Sequence, residues 1–153
     1  MITPAQRRWL VDAARAYDGA RYDTGHSDLG WRALDLKPSR FDCATFVCRV
    51  ALEVMGHVPN LLAADARWLI ENLVAIRSPQ PGDVVGYQRR ATVESPHDVV
   101  WHVMLYVGNG SVIGACDVAG AVVIRPIEYE TSLGSRQWKF AGASPFRMIS
   151  VAG

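Results

Sequence analysis

The sequence predicts an α+β domain in which N-terminal helices pack on an antiparallel β-sheet. Three observations carry that prediction. Helix-period apolar stripes occupy the first half, strand-like apolar runs occupy the second, and Gly108-Asn109-Gly110 sits between two of those runs as a hairpin turn. The chain has 153 residues, which suits a single domain over residues 1–153. Half of the residues are apolar and 20% are charged, so the chain is not disordered.

Thr3, Pro4 and Gln6 supply a cap, a first helical position and the partner of a capping box. Trp9, Leu10, Ala13, Ala14 and Tyr17 continue as one stripe, and Gly19 is placed to end the helix. Residues 18–40 read as a long loop, of a length that is usually functional inside a compact domain. Asp42 is the natural N-cap of a second helix over 43–55, closed by Gly56, with Phe41 and Phe46 at the positions of a hydrophobic staple. A third helix is expected over about 61–73. Ser78–Gly82 is a turn, 83–87 a strand, and 88–98 a polar loop. Strands follow at 99–107, 111–116, 121–125 and near 138–148.

Sixteen Lys and Arg against fifteen Asp and Glu give a net charge of +1. That balance makes no case for nucleic acid or an acidic membrane surface. No apolar run reaches the ~18–20 residues of a membrane span. Met1–Arg8 has no apolar core behind its charges, so a secretory signal is not expected. Synthesis in the cytoplasm is the expectation, with another route of delivery if the protein works outside.

Three cysteines make a poor disulfide framework and leave at least one free thiol. Cys43 opens the second helix, where unpaired N–H groups and the helix dipole favour a thiolate. It is a candidate nucleophile, against the plainer reading of a small residue packing the helix start. Cys48 and Cys116 read as core filling. Their spacing and that of the histidines supply no four-ligand metal set. His26, His57 and His97 fall in loop-like sequence. His102 opens the apolar run His102–Val107 and is either structural or a catalytic base. A thiol at a helix start with a histidine on a strand packed against it is the arrangement of papain-like cysteine enzymes.

At this point the chain resembles the NlpC family of bacterial cell-wall cysteine peptidases. Four blocks carry the resemblance in order. They are Gly19-Ala20-Arg21-Tyr22, Phe41-Asp42-Cys43-Ala44-Thr45-Phe46-Val47, Gln80-Pro81-Gly82-Asp83-Val84-Val85, and His102-Val103-Met104-Leu105-Tyr106-Val107-Gly108-Asn109-Gly110. The resemblance implies a papain-like fold and hydrolysis of amide bonds in peptidoglycan stem peptides, usually between γ-D-glutamate and a diamino acid. It implies Cys43 as nucleophile, His102 as base and Tyr22 as a cleft residue near oxyanion and substrate, with no metal or organic cofactor.

The chain also departs from the family's pattern. Asp23-Thr24-Gly25 replaces a Trp-Gly-Gly segment, Ala44 replaces a serine that reads the stem peptide, and Met104 replaces a glycine. Gly114 stands where the family places its third polar residue. Asp117 is the candidate substitute. A two-residue Asn109-Gly110 turn would set it opposite His102, whereas an odd-length loop would put Gly114 and Cys116 on that face and turn Asp117 away. A backbone carbonyl or a water holding the ring is the other arrangement. A catalytically inactive wall-binding module and a thiol amidase or acyltransferase on another substrate are the competing functions. A wall enzyme without a signal peptide, wall-binding repeat or lipid-anchor cysteine fits a secreted antibacterial effector or a phage enzyme. As an effector it would have an immunity protein as partner. A monomer is expected.

Overall fold

The computed structural model describes residues 2–23, 34–56, 66, 69, 78–89, 101–128 and 138–144. Helix α1 spans Pro4–Arg15 and α2 spans Cys43–Met55. The strands are β1 (Arg21–Tyr22), β2 (Arg40–Phe41), β3 (Val84–Arg89), β4 (Trp101–Gly108), β5 (Ser111–Cys116), β6 (Ala121–Pro126) and β7 (Trp138–Ser144). They form one sheet in the order β2-β1-β6-β5-β4-β3-β7. Every pairing is antiparallel except β1 with β2. The expected α+β arrangement is therefore observed. Ala66 and Leu69, the described residues of the expected third helix, are helical and buried.

The capping box forms as read. Thr3 Oγ1 accepts from the Gln6 N–H at 3.1 Å, and Gln6 Oε1 accepts from the Thr3 N–H at 2.9 Å. Two details of α1 differ. Leu10, Ala14 and Tyr17 are buried, but Trp9 is 56% exposed and lies off the packed stripe. The helix stops at Arg15, ahead of Gly19, whose N–H is drawn away to the Val122 carbonyl. The expected loop 18–40 also holds β1 and β2. Two-residue strands have no period to read, and their parallel partners, Arg21↔Arg40 and Tyr22↔Phe41, lie far apart in sequence.

The helices cover one face of the sheet. Val84, Val103, Leu105, Ile113, Ala115 and Val122 meet α1 and α2 there. Val85, Tyr87, Met104 and Val112 form a smaller cluster, and the two-residue period of the strands puts it on the other face. No helix among the described residues is long and apolar enough to cross a membrane.

The turn into β3 is bolted to α1. Asp83 is buried, and its Oδ1 takes the Arg7 guanidinium at 2.7 Å while Oδ2 accepts the Gln80 N–H at 2.8 Å. Arg7 also donates to the Pro81 carbonyl at 3.1 Å. Gly82 has φ +92, and an added Cβ would lie 3.1 Å from Leu10 Cδ1, so both conformation and space call for glycine. The Gln80–Asp83 block thus fixes the register of β3 against α1. Arg7→Met should lower unfolding free energy by about 2–3 kcal/mol, below the ~3–5 of a fully buried pair because Arg7 is partly exposed. Arg8→Met, at an exposed neighbour, should stay within ~0.5 kcal/mol. Urea unfolding of the two variants checks this, and equal midpoints would refute the bolt.

Candidate active site

The site begins at the start of α2. Asp42 has extended backbone and its Oδ1 accepts the Thr45 N–H at 2.8 Å; Thr45 Oγ1 accepts the Asp42 N–H at 3.0 Å. This reciprocal cap stops the helix from running backward and makes Cys43 its first residue. Phe41 and Phe46 pack edge to face with centroids 5.7 Å apart, as the staple predicts, and Tyr17 closes on Phe41 at 5.1 Å.

Cys43 is partly exposed as a residue, yet its sulfur sits in a packed environment. The backbone N–H groups of Val103 and Ala44 donate toward the sulfur. Val103 directly follows His102, so the sulfur lies against the backbone next to the histidine. Among the described residues the β4–β5 ladder ends at Leu105↔Ile113, although β4 starts at Trp101. Val103, the donor to the sulfur, lies in the stretch of β4 beyond that ladder.

The electrostatics differ from the expectation of a ready thiolate. Burial pushes the Cys43 thiol up to about 12; the Val103 and Ala44 donors oppose it, and the nearby Asp42 and Asp117 carboxylates add to it. Burial likewise pushes His102 down to about 4, with Asp117 pulling the other way. The helix terminus and two donors favour the anion, but desolvation is larger. Both shifts favour the neutral forms, thiol and imidazole. His102 is buried and pairs with Tyr87 across β3, the ring centroids 5.9 Å apart and tilted by 43°.

The hairpin joins the two registers that the sequence offers. Gly108 pairs with Ser111, so Asn109-Gly110 is a two-residue turn, with φ values of 53° and 72°. A bulge between Tyr106 and Gly108 then shifts the register to Tyr106↔Val112 and Leu105↔Ile113. Carried down the strands, this offset aligns Met104 with Gly114 and His102 with Cys116. A Cβ on Gly114 would lie 3.0 Å from Met104 Cγ, so the methionine occupies the space a side chain there would need. The alignment of Asp117 directly opposite His102 is not formed. Asp117 instead opens the exposed turn after β5, where its Oδ1 accepts the Val118 N–H at 2.8 Å. From that turn its charge still reaches His102, Cys43 and Tyr22.

Tyr22 lies on β1, half-buried among the residues packed against α2. Burial raises its hydroxyl pKa, and Cys43 and Asp117 raise it further, so it stays a protonated donor. Cys48 and Cys116 are buried and outside any disulfide among the described residues, in keeping with the core-filling reading. His26, His57 and His97 lie outside the described residues. The sequence reading missed Arg49, which is 2% exposed on α2. Its Nε donates to the Tyr17 hydroxyl at 3.2 Å and its guanidinium to the Leu36 carbonyl at 2.6 Å, with Glu53 at 3.7 Å. An arginine in an otherwise apolar helix was the available signal.

The model of the NlpC/P60 family matches residues 25–139. No curated protein matches the chain in sequence. NlpC2 from Trichomonas vaginalis is 20% identical at a TM-score of 0.61, covering 92% of this chain and 46% of its own. The NlpC/p60 domain of the peptidoglycan hydrolase SagA is 21% identical at 0.57, covering 90% and 97%. The peptidoglycan hydrolase RipB from Mycobacterium tuberculosis is 19% identical at 0.56, covering 95% and 65%. The chain thus spans about half the length of NlpC2 and nearly all of the SagA domain. At such identities the likeness concerns the fold, which is the papain-like α+β arrangement expected from sequence. The family match extends over most of the chain, including Cys43, His102 and the hairpin between β4 and β5, and on that ground the chain belongs to the NlpC/P60 family.

Proposed function

We propose that this chain hydrolyses amide bonds of peptidoglycan stem peptides, with Cys43 as nucleophile and His102 as base. The observation that carries the reading is the thiol at the first position of α2, receiving the N–H of the residue next to His102. Family membership and the two neighbours named as peptidoglycan hydrolases support the substrate class. The bond between γ-D-glutamate and a diamino acid is the one we assign. Delivery as an antibacterial effector, countered by an immunity protein, or as a phage enzyme, is the context we infer.

The neutral resting pair sets the order of events. The sulfur attacks the carbonyl carbon as its proton passes to His102, so charge appears only when substrate is in place. The Cys43 N–H, one of the helix's first donors, and the Tyr22 hydroxyl steady the oxyanion. His102 returns the proton to the leaving amine, and water then releases the acyl group from sulfur. An inactive wall-binding module would have no need to keep both groups.

Cys43→Ala should abolish product formation from purified muropeptides, read by mass spectrometry, while thermal unfolding stays close to wild type. Full activity in this variant would end the thiol mechanism. Iodoacetamide should alkylate Cys43 slowly at pH 6, with the rate rising about tenfold per pH unit and still climbing at pH 9. A plateau below pH 7 would show a preformed thiolate instead. Asp117 raises the His102 pKa, so Asp117→Asn should lower it. The acid limb of kcat/KM then moves to lower pH, and the plateau falls several-fold as the base weakens. An unmoved limb would remove Asp117 from the site.

A further inference from the structure

A groove of about 470 Å³ opens between residues 16–21, at the end of α1 and the start of β1, and residues 37–39, which lead into β2. That volume is within the ~300–1,000 Å³ range of small-ligand sites. Arg21 and Lys37 line it, and among the described residues neither makes an ion pair with a carboxylate. Lys37 Nζ instead lies 5.5 Å from the Tyr17 ring centroid. Asp18 is the single acid of the lining, so the cations outnumber it.

The groove is held in shape from beneath. Tyr17, part of its lining, is fixed by Arg49 at 3.2 Å and by Glu53 at 3.0 Å. Arg49 also holds the Leu36 carbonyl, which sets the start of the opposite wall. Burying a guanidinium costs desolvation. Here that buried cation joins the end of α1 to the wall ahead of β2 and preorganises the space between them. The same wall leads to the nucleophile. Ser39 is four residues before Cys43, at most about 14 Å along the chain, and Arg21 adjoins Tyr22. The Ser39 end of the groove therefore lies within about 14 Å of the Cys43 backbone.

We infer that this groove is an accessory subsite for an anionic group on the substrate, held by Arg21 and Lys37 at a distance from the scissile amide. The inference rests on the proposed hydrolase reading for the identity of the substrate. A free peptide carboxylate is the anion such a substrate offers, and a wall polyol-phosphate presents the same chemistry.

The test measures binding and turnover separately. Full-length Cys43→Ala protein is titrated with purified muropeptides, with their carboxyl-amidated counterparts and with soluble poly(glycerol phosphate), with and without Arg21→Gln/Lys37→Gln. The double substitution should weaken muropeptide binding about fivefold, as two exposed ion pairs allow. In the active enzyme it should raise KM by the same factor, because the groove lies away from the reacting atoms. Arg8→Gln serves as the surface-charge control. Amidation that weakens binding as much as the double substitution identifies a peptide carboxylate. Binding of the phosphate polymer that the double substitution abolishes identifies a phosphate. Affinities unmoved by the double substitution for every ligand overturn the subsite. Charge-dependent binding by a wild-type enzyme that cleaves nothing would keep the subsite and end the hydrolase reading.

Discussion

The Asp42 carboxylate bonded to the Thr45 N–H determines where α2 begins, and the chemistry follows from that position. A helix starting one residue later would leave Cys43 in the preceding extended segment. One starting earlier would carry the sulfur round the axis by about 100°, a turn fraction set by 3.6 residues per turn. The cap also ties three parts of the molecule together. Phe41, the residue before Asp42, belongs to β2 and packs against both Phe46 of α2 and Tyr17 at the end of α1. β2 in turn pairs with β1, so Tyr22 is set relative to Cys43 by one parallel strand pair of two residue partners. The proposed nucleophile and oxyanion donor are therefore placed by one cap and one aromatic cluster.

The same packing explains why the thiol is not a resting anion. A helix terminus supplies roughly half a unit of positive charge, and two backbone donors add to it. Both effects are real at Cys43, but the sulfur is held where water solvates it poorly, and burial outweighs them. His102 experiences the converse, since burial disfavours its cation. Neutral partners in a dry site store no ion pair before substrate arrives. Proton transfer coupled to attack is what such a pair can do, and the exposed Asp117 carboxylate favours the imidazolium as it forms.

How much of this is legible in the sequence depends on whether the signal is local. The Thr3 capping box, the Phe41–Phe46 staple and the Asn109-Gly110 turn are written within a few residues of one another, and each forms as read. The β4–β5 and β5–β6 pairings are readable for the same reason, since short turns join those strands. β1 and β2 were invisible because their only partners are distant. The Arg49 cluster and the Arg7–Asp83 ion pair join residues from separate elements, so their partners cannot be read from either neighbourhood, even where an arginine in an apolar helix stands out. The Val103 donor to Cys43 could not be found from residue types at all, because it is backbone.

The β4–β5 hairpin shows why a motif does not by itself fix a site. The Asn109-Gly110 turn on its own sets a register in which Asp117 faces His102. One extra residue on β4 near Val107 shifts the register and takes Asp117 out of that alignment. Because strand side chains alternate, a single bulge exchanges every residue that faces the histidine. It also sets Met104 over Gly114, where an added Cβ would meet the methionine at 3.0 Å. Methionine at 104 and glycine at 114 therefore form one packing solution: the side chain removed from one strand is replaced by a longer one on its neighbour. The space that a third polar group would take beside His102 is filled with a thioether. The Tyr87 ring beside His102 and the charge of Asp117 from the turn both act on the imidazole. In the proposed mechanism, packing orients the ring and the distant carboxylate biases its charge, two jobs that the third residue of a triad performs together.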